Sequence, residues 1–196
     1  MALFDQTNLS FTYVGRVCIW NNSVVLQHAA EEAIRGLEEA GINFVSGLPD
    51  GWQRNVHELV EQNDAFRYAP ACNEGVAFSM CAGAWLGGMK SALIIENSGI
   101  RVAAEYIARI SLGTGVPVTM VCSYRGDVGE TEHWGVPHGI VAEPLLGALR
   151  IKYLVVRHVE ELAQAIKRAK RLSEAQLHPA AVLVSGDCVW DDGVQD

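Results

Sequence analysis

The sequence predicts an α/β protein: an open, mostly parallel sheet with helices on both faces. Two observations lead there. Amphipathic stretches alternate with short apolar runs along most of the chain, and Gly, Pro or Asn bounds the runs, as in repeated strand–helix units. The chain has 196 residues, 49% hydrophobic and 19% charged, which suits one domain with a filled core. The organisation read from this is an N-terminal extension over 1–22 and a single domain over 23–196.

Taken in order, Val24 to Ala40 places Val25, Ala29, Ala33 and Leu37 on one helical face and Glu31, Glu32, Arg35 and Glu38 on the other, and Gly41 ends the helix. Ile42 to Ser46 reads as a strand, followed by the turn Gly47-Leu48-Pro49-Asp50-Gly51 and a helix running to about Glu61. Three further strand–helix pairs follow. They are Phe66–Ala71 with Asn73–Leu86, Ser91–Ile95 with Arg101–Leu112, and Val116–Cys122 with Gly139–Leu149. A strand at Tyr153–Val156, a helix at about Glu160–Ala175 and a buried strand at Pro179–Ser185 complete the set. Lys167, Arg168, Lys170 and Arg171 crowd the C-terminal end of that last helix, where the helix dipole favours cations.

Charge and composition exclude several classes. Fifteen Lys and Arg stand against 23 Asp and Glu, a net charge of −8 that offers no basic stripe for a phosphate backbone. The apolar runs stop far short of the roughly 20 residues that span a bilayer. Met1 to Asn22 has neither the basic start nor the continuous apolar run of a signal peptide, so a cytoplasmic protein is expected. Five scattered cysteines, Cys18, Cys72, Cys81, Cys122 and Cys188, without a Cys-x-x-Cys pair, read as reduced thiols set mostly in the core.

In an open parallel sheet, ligands collect beyond the carboxyl ends of the strands. Four segments fall there: Gly47–Gly51, Cys72–Gly75, Glu96–Arg101 and the long connection Ser123–His138. Asn73 is suited to cap the helix that follows it, and Glu74 complements that helix start. Asp50 either serves a reaction or shapes its turn. Ser98 lacks the Gly-x-Ser-x-Gly elbow of a nucleophile and reads as a positioning residue. Arg125 can grip an anion through paired donors and His133 can move a proton, or each can be an ordinary loop residue. Glu130, Glu132, His133 and His138 match no strong metal spacing. Trp85 and Trp134 read as core or interface residues.

The text from Asn73 to Gly88, Ser91 to Gly99 and Val121 to Gly126, with Gly47-Leu48-Pro49-Asp50 and a helix start at Glu143-Pro144-Leu145-Leu146, resembles the alpha subunit of sulfopyruvate decarboxylase and the matching half of phosphonopyruvate decarboxylase. The resemblance runs from about Val24 to about Val184. It implies a pyrimidine-binding domain of a thiamine-diphosphate enzyme, acting on a 2-oxo acid such as sulfopyruvate or phosphonopyruvate. It also implies Glu74 as the carboxyl group that hydrogen-bonds the cofactor's pyrimidine, buried beside an apolar helix, and Asn97, Ser98 and Gly99 as the turn facing that ring. Asp50 and His133 are implied as proton-handling groups near the substrate, and Arg125 and Arg101 as contacts to its anionic end.

The chain departs from that family twice. Leu-Gly-Asn commonly follows the Asn-Ser-Gly turn there, whereas Ile100-Arg101-Val102 stands here, so Arg101 faces either the pocket or a partner chain. No Gly-Asp-Gly magnesium motif is present; Gly186-Asp187-Cys188 comes nearest, almost at the chain's end. A separate diphosphate-binding beta subunit is therefore expected to hold most of the Mg2+ coordination and complete the site, in an assembly of at least two alpha and two beta chains. The expected contact is the apolar surface around the helix at Asn73 and the one near Arg101. The alternatives are a carboligase subunit and a non-catalytic, partner-binding regulatory domain; a Rossmann nucleotide-binding protein lacks its Gly-x-Gly-x-x-Gly.

Overall fold

The computed structural model describes residues 24–189; the expected N-terminal extension, the segment weighed as a signal peptide and Cys18 lie outside them. Six strands are joined by crossover helices. They are β1 (Phe44–Gly47), β2 (Arg67–Pro70), β3 (Ser91–Glu96), β4 (Thr119–Tyr124), β5 (Lys152–Val156) and β6 (Ala180–Ser185). All pair in parallel in the order β2-β1-β3-β4-β6-β5, with Val45 beside Ala92, Ala92 beside Thr119 and Thr119 beside Ala180. The apolar runs have their cause here, because β4 and β6 are buried along their whole length and only the edge strands β2 and β5 are partly open.

The helices are α1 (Val24–Glu39), α2 (Arg54–Glu61), α3 (Glu74–Leu86), α4 (Gly99–Tyr106), α5 (Val136–Ala148) and α6 (Leu162–Gln176). On one face α1, α2 and α6 bury Ala33, Leu37, Val60 and Ile166 against Val45 and Val182. On the other, α3, α4 and α5 bury Phe78, Ile100, Ile107 and Leu146 against Leu93 and Met120. A Cβ at Gly36 would lie 2.7 Å from the Cα of Ala163, so this glycine sets how closely α1 and α6 approach. Gly41, at φ +70°, ends α1 as expected.

Three boundaries differ from the sequence reading. The helix expected over Arg101–Leu112 starts at Gly99, and its last six residues, Ile107–Leu112, widen into a π-helical turn. α5 starts at Val136 because Pro137 suits a first helical turn, which leaves Glu143-Pro144 in the helix interior rather than at its start. Glu143 instead ties α5 to the sheet, accepting hydrogen bonds from Tyr124 (2.6 Å) and Tyr153 (2.7 Å). Among the cysteines, Cys81, Cys122 and Cys188 are buried as expected, while Cys72 is exposed at the loop before α3.

His57 on α2 is almost wholly enclosed. Its Nδ1 lies 2.8 Å from the Tyr68 hydroxyl and its Nε2 is buried without a hydrogen-bond partner. Burial pushes its pKa from 6.5 down to about 4. Between those values the unfolded chain binds the extra proton and the folded one does not, so stability falls as pH drops from 6.5 to 4, by up to about 3 kcal/mol. Urea unfolding followed across this window should show the loss in the wild type and a shallower one in His57→Gln; equal slopes would refute the assignment.

Candidate active site

The carboxyl ends of β1, β3 and β4 bring the predicted segments to one edge. Asp50, in the turn after β1, accepts hydrogen bonds at Oδ1 from the backbone of Trp52 (2.8 Å) and Gln53 (2.7 Å), which caps the approach to α2. Its Oδ2 accepts from the Ser123 hydroxyl at the end of β4. Asp50 therefore shapes its turn and faces the edge together. Burial, with the nearby charge of Glu96 adding to it, holds the Asp50 carboxyl above the usual range despite those hydrogen bonds.

Asn73 caps α3 as expected, its Oδ1 accepting from the backbone of Gly75 (2.8 Å) and Val76 (3.2 Å). The cap fixes the first turn and aims Glu74 across to the β3–α4 turn. There the Glu74 side chain lies on the bare Cα of Gly99: a Cβ at that position would sit 2.4 Å from Glu74 Cγ and 2.8 Å from its Oε1. Glu74 is half-buried rather than enclosed, because this edge is open in the isolated chain. A Cβ at Gly75 would meet the Tyr106 ring at 2.2 Å, so two glycines allow α3 and α4 to cross closely beside the carboxylate.

Asn97 is buried, and its side chain is committed to the backbone: Nδ2 donates to the Arg125 carbonyl (2.8 Å) and Oδ1 accepts from the Arg125 N–H (3.2 Å). Ser98 is half-buried and makes no side-chain cap to α4. Arg101 is exposed, yet its guanidinium reaches back across the edge, with Nη2 2.8 Å from Nδ1 of His138 on α5. A guanidinium only donates, so Nδ1 accepts and Nε2 carries the proton of a neutral imidazole. That Nε2 faces Glu96 Oε1 at 3.7 Å. His138, rather than His133, is thus the histidine brought to the carboxylates; His133 is exposed on the loop.

The loop over 125–135 is closed by its own residues. Arg125 donates to Glu130 twice, Nε to Oε2 (2.8 Å) and Nη2 to Oε1 (2.9 Å), and both side chains are 6% exposed. Its guanidinium lies over the rings of Trp52 (4.7 Å) and Trp134 (4.2 Å). Burial alone would raise the Glu130 pKa, but the hydrogen bonds from Arg125 and from the backbone of Glu132 and Gly126 hold it down to about 2. Asp127 anchors the loop to the ends of β5 and β6 through Arg157 and Ser185. No group of three or more His, Cys, Asp or Glu among the described residues is placed to hold a metal ion.

A crossover sheet that gathers acid–base side chains from four separate connections at its carboxyl edge is the design of a small-molecule-binding α/β subunit. The same fold occurs in the 2-oxoglutarate:ferredoxin oxidoreductase of Magnetococcus marinus, at a TM-score of 0.61 and 18% identity over 85% of this chain and 29% of that one. In sequence, the chain is 31% identical over 147 residues to the sulfopyruvate decarboxylase subunit alpha of Methanocaldococcus jannaschii, covering 75% of this chain and 87% of that one. The corresponding subunit of Methanococcus maripaludis is 27% identical over 157 residues, 80% of this chain and 94% of that one. The phosphonopyruvate decarboxylase of Streptomyces viridochromogenes is 29% identical over 103 residues, 53% of this chain and 26% of that one. No protein-family model matches. The chain belongs to the sulfopyruvate decarboxylase alpha-subunit family.

Sequence reasoning missed Ser123, Glu96 and His138 as site residues, although all three lie in or at the ends of the segments it marked. Their partners are distant in sequence, and only the ladder register brings them together. Removing one member of the loop's ion pair gives the sharpest check of this geometry. Arg125→Met leaves Glu130 buried without its cation and is expected to cost about 3 kcal/mol of stability in urea unfolding at pH 7; a loss under about 1 kcal/mol, the range of an exposed pair, would contradict the closed loop.

Proposed function

We propose that this chain is the alpha, pyrimidine-binding subunit of a thiamine-diphosphate-dependent 2-oxo-acid decarboxylase, with the active site completed by a separate diphosphate-binding beta subunit. The observation that carries the reading is the Glu74 carboxyl group resting on the bare Cα of Gly99 at the carboxyl edge. That cradle is open on one side, so a flat heteroaromatic ring fits against the carboxylate, and a regulatory domain has no need of it. When bound, thiamine diphosphate would supply the nucleophilic carbon and the electron sink for loss of carbon dioxide.

The residues of this chain then have distinct tasks. Glu74 would hydrogen-bond the pyrimidine nitrogen and share a proton with it. Gly99 and Ser98 would leave room for the ring, and Asn97 would fix their turn from behind. Asp50, with its raised pKa, would hold a proton near the reacting carbonyl, and His138 with Glu96 would connect that position to the outer edge. Arg101 would position His138 and match a single carboxylate. His133, exposed on the loop, stays a candidate only at a site closed by the partner.

The name subunit alpha of the relatives supports a partner chain. Val76, Val102, Tyr106 and Ile140, apolar and exposed on α3, α4 and α5, form the surface we assign to it, in an assembly of at least two alpha and two beta chains. Magnesium would be held mainly by the beta subunit. A cytoplasmic location accords with the free, buried Cys81, Cys122 and Cys188. No helix of the described residues is long and apolar enough to cross a membrane.

Carbon dioxide release from a panel of 2-oxo acids, with thiamine diphosphate and magnesium, tests the reading. Turnover is expected only when the chain is co-expressed with its beta subunit, and Glu74→Gln should lower it by about 10³-fold while the complex still assembles. Gly99→Ala, which drives a methyl group into Glu74, should weaken cofactor binding in the same complex. Full activity in Glu74→Gln would refute the proposal.

A further inference from the structure

The commitments of the arginines at the carboxyl edge bear on the substrate, an inference that rests on the decarboxylase reading. Three arginines stand at this edge, and each has a partner within the chain. Arg157 is paired with Asp127 and Asp187. Arg125 is neutralised by Glu130 in a two-pronged pair, buried on both sides and lying over two indole rings. Glu130 also accepts the backbone N–H groups of Gly126 (2.9 Å) and Glu132 (3.0 Å), so withdrawing it from Arg125 would unmake the turn that forms the loop. An incoming sulfonate or phosphonate would have to displace a carboxylate that the loop itself holds in place.

Arg101 is the remaining cation, and it is bound to a neutral imidazole rather than to a carboxylate. It can match one anionic group, which every 2-oxo acid already carries at its reacting end. Across the same edge stand Glu74, Asp50, Glu96 and Glu130. Even with Asp50 protonated, three carboxylates face the two guanidinium groups of Arg101 and Arg125. A second anion on the substrate would therefore enter a field of its own sign. The loop's outer wall is Trp134, 47% exposed, an apolar face beside the neutralised Arg125.

We propose that the substrate is a 2-oxo acid with an uncharged side chain, aliphatic or aromatic, and that the Arg125–Glu130 pair excludes sulfonate- and phosphonate-bearing acids. The pair acts on specificity by removing a cation that the loop would otherwise present.

The test uses the assembled alpha–beta complex loaded with thiamine diphosphate and magnesium. kcat/KM is measured for pyruvate, phenylpyruvate, sulfopyruvate and phosphonopyruvate. At least one uncharged acid should exceed both dianionic acids by about 100-fold or more. Glu130→Gln, which releases Arg125, should narrow that gap at least about tenfold by raising turnover of sulfopyruvate. Independently of turnover, tryptophan fluorescence of the cofactor-free complex is titrated with phenylpyruvate and with sulfopyruvate, and Trp134→Phe identifies the reporting ring. Weaker binding of sulfopyruvate supports the inference. Turnover of sulfopyruvate at or above that of the uncharged acids overturns it, whether or not the variant folds. Absence of carbon dioxide release from all four acids overturns the decarboxylase reading instead, and tighter binding of sulfopyruvate in the titration then overturns this inference as well.

Discussion

The clasp between Asn97 and the backbone of Arg125 is the contact on which the rest of the edge depends. Asn97 N–H donates to the Ser123 carbonyl (3.0 Å), and its side-chain amide then makes both a donor and an acceptor contact with Arg125. The β3–β4 ladder is thereby carried beyond the last paired residues, Glu96 and Ser123. On one side this sets the turn that brings Gly99 under Glu74; on the other it sets where Arg125 leaves the sheet to form the loop. A buried amide without these partners would cost roughly 1–3 kcal/mol for each polar group stranded. The turn and the loop are consequently one unit, and a ligand that meets Glu74 also meets a loop whose root is fixed by the same side chain.

The fold was legible in the sequence because its strands are buried on both faces and its helices on one. Ala29, Ala33 and Leu37 are buried as their helical spacing requires, and the cap by Asn73 forms with the donors that local chemistry demands. What escaped was chemistry between distant segments. Arg101 and His138 are 37 residues apart, and no periodicity links them; they meet because α4 and α5 both lie on the face that the order β1-β3-β4 turns toward the edge. His133 and His138 were equivalent as letters in a long connection, and the start of α5 at Val136 separates them, placing one on the helix and the other in the exposed loop. Arg125 read as an anion grip because its own counter-charge, Glu130, stood five residues away in a segment with no regular period.

The site also separates its carboxylates by environment. Glu130, surrounded by donors, is held down to about 2, whereas Asp50 is pushed up by burial and by Glu96. One is a permanent anion used to build the loop; the other is a group able to keep a proton at neutral pH. Such divergence between carboxyl groups a few residues from the same strand ends is how one fold assigns structural and acid–base tasks at one pH. Ser123 contributes to the division, since its hydroxyl donates to Asp50 and lessens the cost of ionising it.

The exposed apolar residues complete this account. Val76, Val102 and Tyr106 stand on the helices that hold Glu74 and Gly99, and Tyr106 packs its ring on Gly75 while leaving part of itself open. A partner that buries this surface would desolvate Glu74 in the same step, because the carboxylate and the apolar face share the first turns of α3 and α4. The open, half-buried state of Glu74 in the isolated chain then has a physical reason: the acid–base group is enclosed only when the second subunit arrives, so assembly and the readiness of the site are coupled through one surface.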